Sequence, residues 1–113
     1  MESEAARKRT EIPVACDVSV LTPAQQERLE ALYRELWADV KEARKLADGY
    51  AFRHSADRTV LLAIAEYVDY GRLCCPFLDF ELTVERGGGP VWLRMTGEGE
   101  AKGVLEAEMG VGA

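Results

Sequence analysis

Three cysteines are the side chains in this sequence best suited to specific chemistry. Cys74 and Cys75 are adjacent in YGRLCCPFLDFEL, and Cys16 lies far earlier, in IPVACDVSV. Thiolates bind soft or borderline ions such as Hg(II), Cu(I) and Zn(II), and also trivalent arsenic, and three sulfurs suit a trigonal site. Their spacing is not that of a zinc module, which usually pairs CxxC with a second CxxC or with HxxxH. The sequence therefore indicates Cys16, Cys74 and Cys75 as candidate ligands of a soft metal or metalloid ion. It does not determine the identity of that ion.

The adjacent pair can face one ion only where the backbone leaves a regular helix. Neighbouring side chains on a helix point about 100° apart. Pro76 disfavours helical geometry at the residue before it, so a helix that reaches the pair should end there. The negative end of the helix dipole raises a thiol pKa, and Arg72 is the nearby cation that would oppose this effect.

The competing interpretation is that these cysteines only pack. A free cysteine behaves as a small apolar residue and is among the most buried residue types. Cys16 stands in a row of valines, which favours packing for that residue. An odd number of cysteines in a chain of cytosolic character predicts three reduced thiols rather than a closed disulfide framework.

His54 is the only histidine of the chain. It follows Tyr50 and Phe52 at a two-residue spacing and is a candidate fourth ligand or base beside the thiols, with a polar histidine at a strand end as the alternative. The sequence offers no nucleophile paired with a defined base and no phosphate-binding glycine loop. Enzymatic activity is left open, and the sequence favours a protein without it.

Hydrophobic periodicity predicts the elements that position these residues. Alternation over residues 14–20 predicts a strand that carries Cys16, and Thr22, Pro23 and Gln25 mark the start of a helix of about five turns. A second strand spans Tyr50 to His54, and a second helix, capped by Ser55 or Asp57, runs to the cysteine pair. Two further strands follow as a hairpin around RGGGP, and a last helix runs from about residue 100 to 109.

This order, βαβαββα, predicts an α+β fold with a mainly antiparallel sheet of about four strands and three helices on one face. The strand order within the sheet is left open. We expect residues 1–11 to be a flexible tail and residues 12–113 to form a single domain, as the length of 113 residues suggests.

Composition excludes several classes of function. The net charge of −6 argues against binding nucleic acid. No apolar stretch approaches the length of a membrane span, and the N-terminus MESEAARKRTE lacks the apolar core of a secretory signal. A cytoplasmic protein that uses neither membrane nor nucleic acid is expected.

With YGRLCCPFLDFEL and GPVWLRMTG in view, the chain resembles a group of small, poorly characterised bacterial proteins. They share an arginine at a helix end, then Cys-Cys-Pro-Phe, an alternating strand and an earlier cysteine. The resemblance runs from about Val14 to Met109, and many relatives have Glu where this chain has Gly71. Proteins of this kind are often associated with mercury- or arsenic-responsive regulators, which implies a role in heavy-metal or thiol stress.

The leading hypothesis is a small protein that binds or senses a soft metal or metalloid, mercury or arsenic, through Cys74 and Cys75 with Cys16 as the third thiolate. One alternative is a non-catalytic interaction or oligomerisation module with structural cysteines, whose partner would be a second copy or a regulator protein. The other is a thiol redox switch, which needs a cysteine of lowered pKa.

Overall fold

Residues 12–110, the part of the chain described by this computed structural model, form three α-helices and a four-stranded antiparallel sheet. The predicted α+β class is confirmed. A one-turn 3-10 helix at Val18–Val20 comes first. The elements that follow are α1 (Pro23–Asp39), β1 (Glu42–Leu46), β2 (Gly49–His54), α2 (Arg58–Cys74), β3 (Asp79–Val84), β4 (Val91–Thr96) and α3 (Ala101–Met109). The predicted tail at residues 1–11 and the last three residues lie outside the described part.

The strands are arranged in the order β1-β2-β4-β3, and each neighbouring pair is antiparallel. Because β2 and β3 both flank β4, they run parallel to each other, and α2 crosses from one to the other. The turn between β1 and β2 has two residues, with Leu46 paired to Gly49. The register between β2 and β4 places Phe52 opposite Leu93.

All three helices pack on the same face of the sheet, as predicted. Alternate residues of β2 and β4 point into that layer, and each helix contributes a buried side chain to it. The resulting core consists of Tyr50, Phe52, Val91, Leu93 and Met95 from the sheet with Leu36, Ile64 and Leu105 from the helices. None of these eight residues is a cysteine, and Cys74 is buried outside this central cluster.

The two long helices begin as their sequences predict. The Thr22 hydroxyl accepts a hydrogen bond from the backbone N–H of Gln25 at 3.2 Å, and the Gln25 side chain accepts one from the Thr22 N–H at 2.9 Å. The Asp57 carboxylate caps α2 by accepting from the Thr59 N–H at 2.7 Å. These contacts satisfy backbone donors that have no partner within the helix.

Among residues 12–110, no helix combines the length and the apolar character needed to cross a bilayer.

The first predicted strand is wrong. Residues 14–20 form a loop and the 3-10 turn, because the Asp17 side chain accepts from the Ser19 N–H at 3.0 Å and turns the chain locally. The strand that completes the sheet is instead β1, which was not predicted as a strand. The order is therefore αββαββα, and it matches the prediction from β2 onward.

Candidate functional site at the three cysteines

The fold brings the three sulfur atoms together. Cys16 and Cys75 form a disulfide that joins positions 59 residues apart. The Cys74 Sγ lies 3.8 Å from the Cys75 Sγ and is a free thiol. The expectation of three reduced thiols is therefore wrong for this structure. An odd number of cysteines is compatible with one disulfide and one free thiol beside it.

The end of α2 explains how adjacent cysteines can turn the same way. The helix ends at Cys74, and Cys75 leaves helical geometry with φ −124° and ψ 67°. Its N–H still donates to the Gly71 carbonyl at 2.8 Å, and its carbonyl accepts from the Leu78 N–H at 3.2 Å. Pro76 thus sits in a tight turn directly after the helix, as the sequence predicts.

A second contact holds the N-terminal segment beside this turn. The Asp17 N–H donates to the Cys74 carbonyl at 2.7 Å, so the residue next to Cys16 is hydrogen bonded to the residue next to Cys75. This hydrogen bond satisfies one of the last carbonyl groups of α2. The disulfide and the hydrogen bond together fix the position of residues 16 and 17.

Cys74 is a buried, neutral thiol. Only 3% of the residue is exposed, and burial raises the pKa of its thiol. Arg72 does not oppose this effect, because its guanidinium is exposed and bonded to Asp69 at 2.8 Å. The lowered thiol pKa that a peroxide-sensing cysteine needs is therefore not found at Cys74.

An apolar cavity of about 360 Å³ lies against all three cysteines. Its walls come from α1, α2, α3 and the sheet, and most of its surface is aliphatic or aromatic. The polar side chains on its lining that are exposed to solvent are Glu30, Arg34 and Glu108. Its apolar lining includes Leu29, Tyr33, Tyr67, Phe77, Phe80 and Leu105.

Gly71 forms part of this cavity wall. A Cβ built at this position would lie 3.0 Å from Cζ of the Phe80 ring, closer than an ordinary contact. Glycine therefore lets the Phe80 ring approach α2 directly, and it leaves this part of the wall without a carboxylate. A glycine inside a helical apolar stripe is the one sequence signal that could have indicated a close approach here.

The Cys-Cys-Pro-Phe motif thus lies at the α2–β3 turn, with both of its cysteines and Phe77 on the cavity. No family model, curated protein or solved structure matches this chain. The role that the motif implies accordingly remains a prediction.

Within residues 12–110, no group of three or more His, Cys, Asp or Glu side chains is arranged to hold a metal ion. Two of the three sulfurs are bonded to each other, and the thiolate is the form of cysteine that binds metals. Any metal chemistry at this site therefore requires reduction of the disulfide.

His54 lies with a different set of partners. Its Nδ1 is 3.1 Å from Oδ2 of Asp39, which also accepts from the Ser55 N–H, while Oδ1 of Asp39 accepts from the Ser55 hydroxyl. It is paired with Val91 at one end of β4, whereas the cysteine cavity contacts Met95 near the other end. The structure therefore does not bring His54 to the thiols, and the histidine joins the end of α1 to the end of β2.

The His54 side chain should make stability depend on pH. Burial lowers its pKa, and the hydrogen bond to Asp39 opposes the shift without reversing it. Below about pH 6.5 the unfolded chain then binds more protons than the folded one, so the free energy of unfolding falls as the pH falls, by at most about 1.4 kcal/mol per pH unit for one proton. Urea unfolding between pH 5 and 7 measures this slope.

The matched variant is His54→Asn, whose amide can still donate to Asp39 but does not titrate. We expect the slope between pH 5 and 7 to be smaller in this variant than in the wild type. Equal slopes in the two proteins would show that His54 does not carry the effect. Asp39 contributes in a separate window below about pH 4, since hydrogen bonds from Ser55 and His54 outweigh its burial and lower its pKa.

Proposed function

We propose that the reduced form of this protein captures or senses a soft metal or metalloid ion, arsenic(III) or mercury(II), through Cys16, Cys74 and Cys75. The observation that carries this proposal is the gathering of the three sulfurs: two are close enough to bond, and the third lies 3.8 Å from one of them. Sulfurs so close to one another can reach a common atom with little backbone movement.

The chemistry follows from the thiol form of the site. Arsenous acid reacts with three thiols, each forming an As–S bond as one water leaves, and arsenic stays trivalent. Hg(II) needs only two thiols and releases two protons. Both ions prefer soft sulfur ligands to the oxygen ligands of surface carboxylates.

The disulfide makes this capture dependent on redox conditions. Oxidation consumes Cys16 and Cys75 and leaves the buried thiol of Cys74 alone. A reducing compartment such as the cytoplasm keeps thiols available, so a cytoplasmic location is part of the proposal.

A second candidate is a thiol redox switch, and the disulfide itself favours it. In this case the reversible step would be the Cys16–Cys75 bond, with oxidation fixing residues 16 and 17 against the end of α2 and reduction releasing them. Both proposals use the same two cysteines, and metalloid binding distinguishes them. The interaction module with structural cysteines predicts neither binding nor a reversible disulfide.

Titration of the reduced protein with arsenite tests the first proposal. The protein is reduced with a phosphine, since dithiol reductants bind arsenic themselves, and the excess is removed under nitrogen. We expect one arsenic per chain, with an As–S absorbance band and tight binding by calorimetry. Cys75→Ser should weaken binding about 100-fold or more, because a metal–sulfur bond is lost and each tenfold is about 1.4 kcal/mol.

The oxidised wild-type protein is the matched control, because it has the same sequence without the two thiols, and it should bind no arsenite. Circular dichroism of each reduced variant checks that the fold is retained. If the reduced wild type binds arsenite and Hg(II) no better than a Cys16→Ser, Cys75→Ser double variant, the proposal is wrong. A redox titration that still shows reversible disulfide formation would then support the switch.

A further inference from the structure

We infer that the cavity beside the cysteines selects organic derivatives of the metalloid, namely trivalent arsenicals that carry one apolar substituent, over the inorganic ion. This inference rests on the proposed function, since the thiols must bind arsenic, and it adds the role of the cavity. An inorganic ion bound by three sulfurs makes no use of an apolar space of about 360 Å³. A ligand with a reactive arsenic and an apolar group uses both.

The first argument is the position of the cavity. All three cysteines lie on its wall, together with side chains from each helix and from β3 and β4. A group attached to an arsenic atom held by the sulfurs therefore has apolar surroundings directly beside it. A cavity of about 150 Å³ is enough to bind benzene, so this one is large enough for a phenyl group.

The second argument is the chemistry of the walls. The aromatic rings of Tyr33, Phe77 and Phe80 offer faces and edges to an apolar substituent. The Tyr67 hydroxyl stays protonated, because burial raises its pKa to about 12. Gly71 adds no side chain to the wall, so the space beside Phe80 keeps its apolar character.

The third argument is charge. Glu30, Arg34 and Glu108 are the exposed charged residues on the lining, with a net charge of −1 from two carboxylates and one guanidinium. This balance disfavours an anionic ligand such as a fatty acid. A monosubstituted arsonous acid, RAs(OH)₂, is neutral at neutral pH and meets no such penalty.

The sulfur count fits the same ligand. RAs(OH)₂ reacts with two thiols: two As–S bonds form, two As–O bonds break, two waters leave with the thiol protons, and arsenic stays trivalent. Cys16 and Cys75 supply these two sulfurs once a phosphine has reduced the disulfide. In that reduction the phosphine gains an oxygen atom from water and becomes the phosphine oxide. Cys74 is then not needed, whereas arsenite uses all three thiols.

The test compares phenylarsine oxide with arsenite on the reduced full chain. Affinities are measured by competition with glutathione and normalised to a small dithiol, which binds both arsenicals without a cavity. We expect the protein to prefer phenylarsine oxide about 10- to 50-fold more than the dithiol does, as burial of one phenyl face predicts. Cys74→Ser should weaken arsenite binding and leave phenylarsine oxide binding nearly unchanged.

A pair of leucine variants tests the cavity itself. Leu29→Trp places a large ring in the cavity, and Leu62→Trp makes the same change at a site on α2 that is 57% exposed and away from it. Leu29→Trp should lower phenylarsine oxide affinity about tenfold with arsenite binding unchanged, and Leu62→Trp should change neither. If Leu29→Trp does not fold, NMR of the wild type still decides, through ring-current shifts of the Leu29 and Leu105 methyl groups with phenylarsine oxide but not with arsenite.

The outcomes separate the two proposals. If reduced wild-type protein binds neither arsenical, the proposed function fails and this inference fails with it. If arsenite binds but the normalised preference for phenylarsine oxide is absent, or Leu29→Trp weakens both ligands equally, only the role of the cavity is wrong.

Discussion

Loss of the Cys16–Cys75 disulfide is expected to lower the free energy of unfolding by about 4 kcal/mol, the entropy difference for a loop closed between residues 59 positions apart. The physical reason is that the cross-link restricts the unfolded chain, which regains its freedom when the bond is broken. Urea unfolding of the wild type with and without a phosphine reductant measures the effect. The central cluster of the core contains neither Cys16 nor Cys75, so the reduced protein should remain folded.

The control is the Cys16→Ser variant, in which the reductant should change nothing. Its free energy of unfolding should match that of the reduced wild type within about 1 kcal/mol, since a partly exposed Cys→Ser change removes little packing. An unfolding midpoint of the wild type that does not respond to reductant would contradict the prediction. This measurement also establishes whether the reduced state needed for metalloid capture is stable.

Gly49→Ala should have an effect of similar size for a different reason. A Cβ at this position would overlap the carbonyl oxygen of Met95 and would lie 2.8 Å from the Cα of Thr96. Both are backbone atoms of β4, which cannot move without breaking the pairing with β2. We expect a loss of about 3 kcal/mol in the free energy of unfolding, the upper part of the range for overpacking.

Gly103→Ala is the matched control for that variant. It makes the same change in α3, where nothing beyond the adjacent residues and the local helix backbone lies within 4 Å of the added Cβ. Alanine is a better helix former than glycine, so this variant should gain about 0.5 to 1 kcal/mol. If both variants lost the same stability, the cause would not be the contact between β2 and β4.

The helices could be predicted from the sequence because their signals are local. Thr22 with Gln25, and Asp57 with the residues after it, cap α1 and α2 within one turn, and Pro76 follows the end of α2. β1 could not be predicted in the same way. Its sequence EARKL consists largely of good helix formers, and only pairing with β2, a contact of the folded chain, makes it a strand.

The strand predicted from the alternation of valine and cysteine at residues 14–20 was wrong for a related reason. A period of two predicts a strand only if a sheet edge is available, and this segment lies against the end of α2 instead. The hydrogen bond from Asp17 to the Cys74 carbonyl is the contact that replaces a ladder. The two-residue period favoured a strand, but the contact with the end of α2 determined the structure of this segment.

Of the four candidate site residues, the structure brings together the three cysteines and places His54 elsewhere, and their role in binding stays a prediction. The residue types and the turn at Pro76 indicated that the thiols could meet, and the structure brings Cys16 to the pair. The pairing of Cys16 with Cys75 depends on which sulfur the N-terminal segment reaches, which no spacing rule gives. The cavity was missed because Leu29 and Tyr33 belong to an apolar helix stripe that looks the same whether or not it is fully packed.

The disulfide also changes the covalent topology of the molecule. With the bond intact, residues 16 to 75 form a closed ring that contains α1, β1, β2 and α2, while β3, β4 and α3 extend from it as a single branch. A protease cut in the exposed turn at Ala47 and Asp48 would then open the ring without releasing a fragment. The oxidised molecule therefore stays one covalent body after a single backbone break within this ring, whereas the same break divides the reduced molecule into two chains.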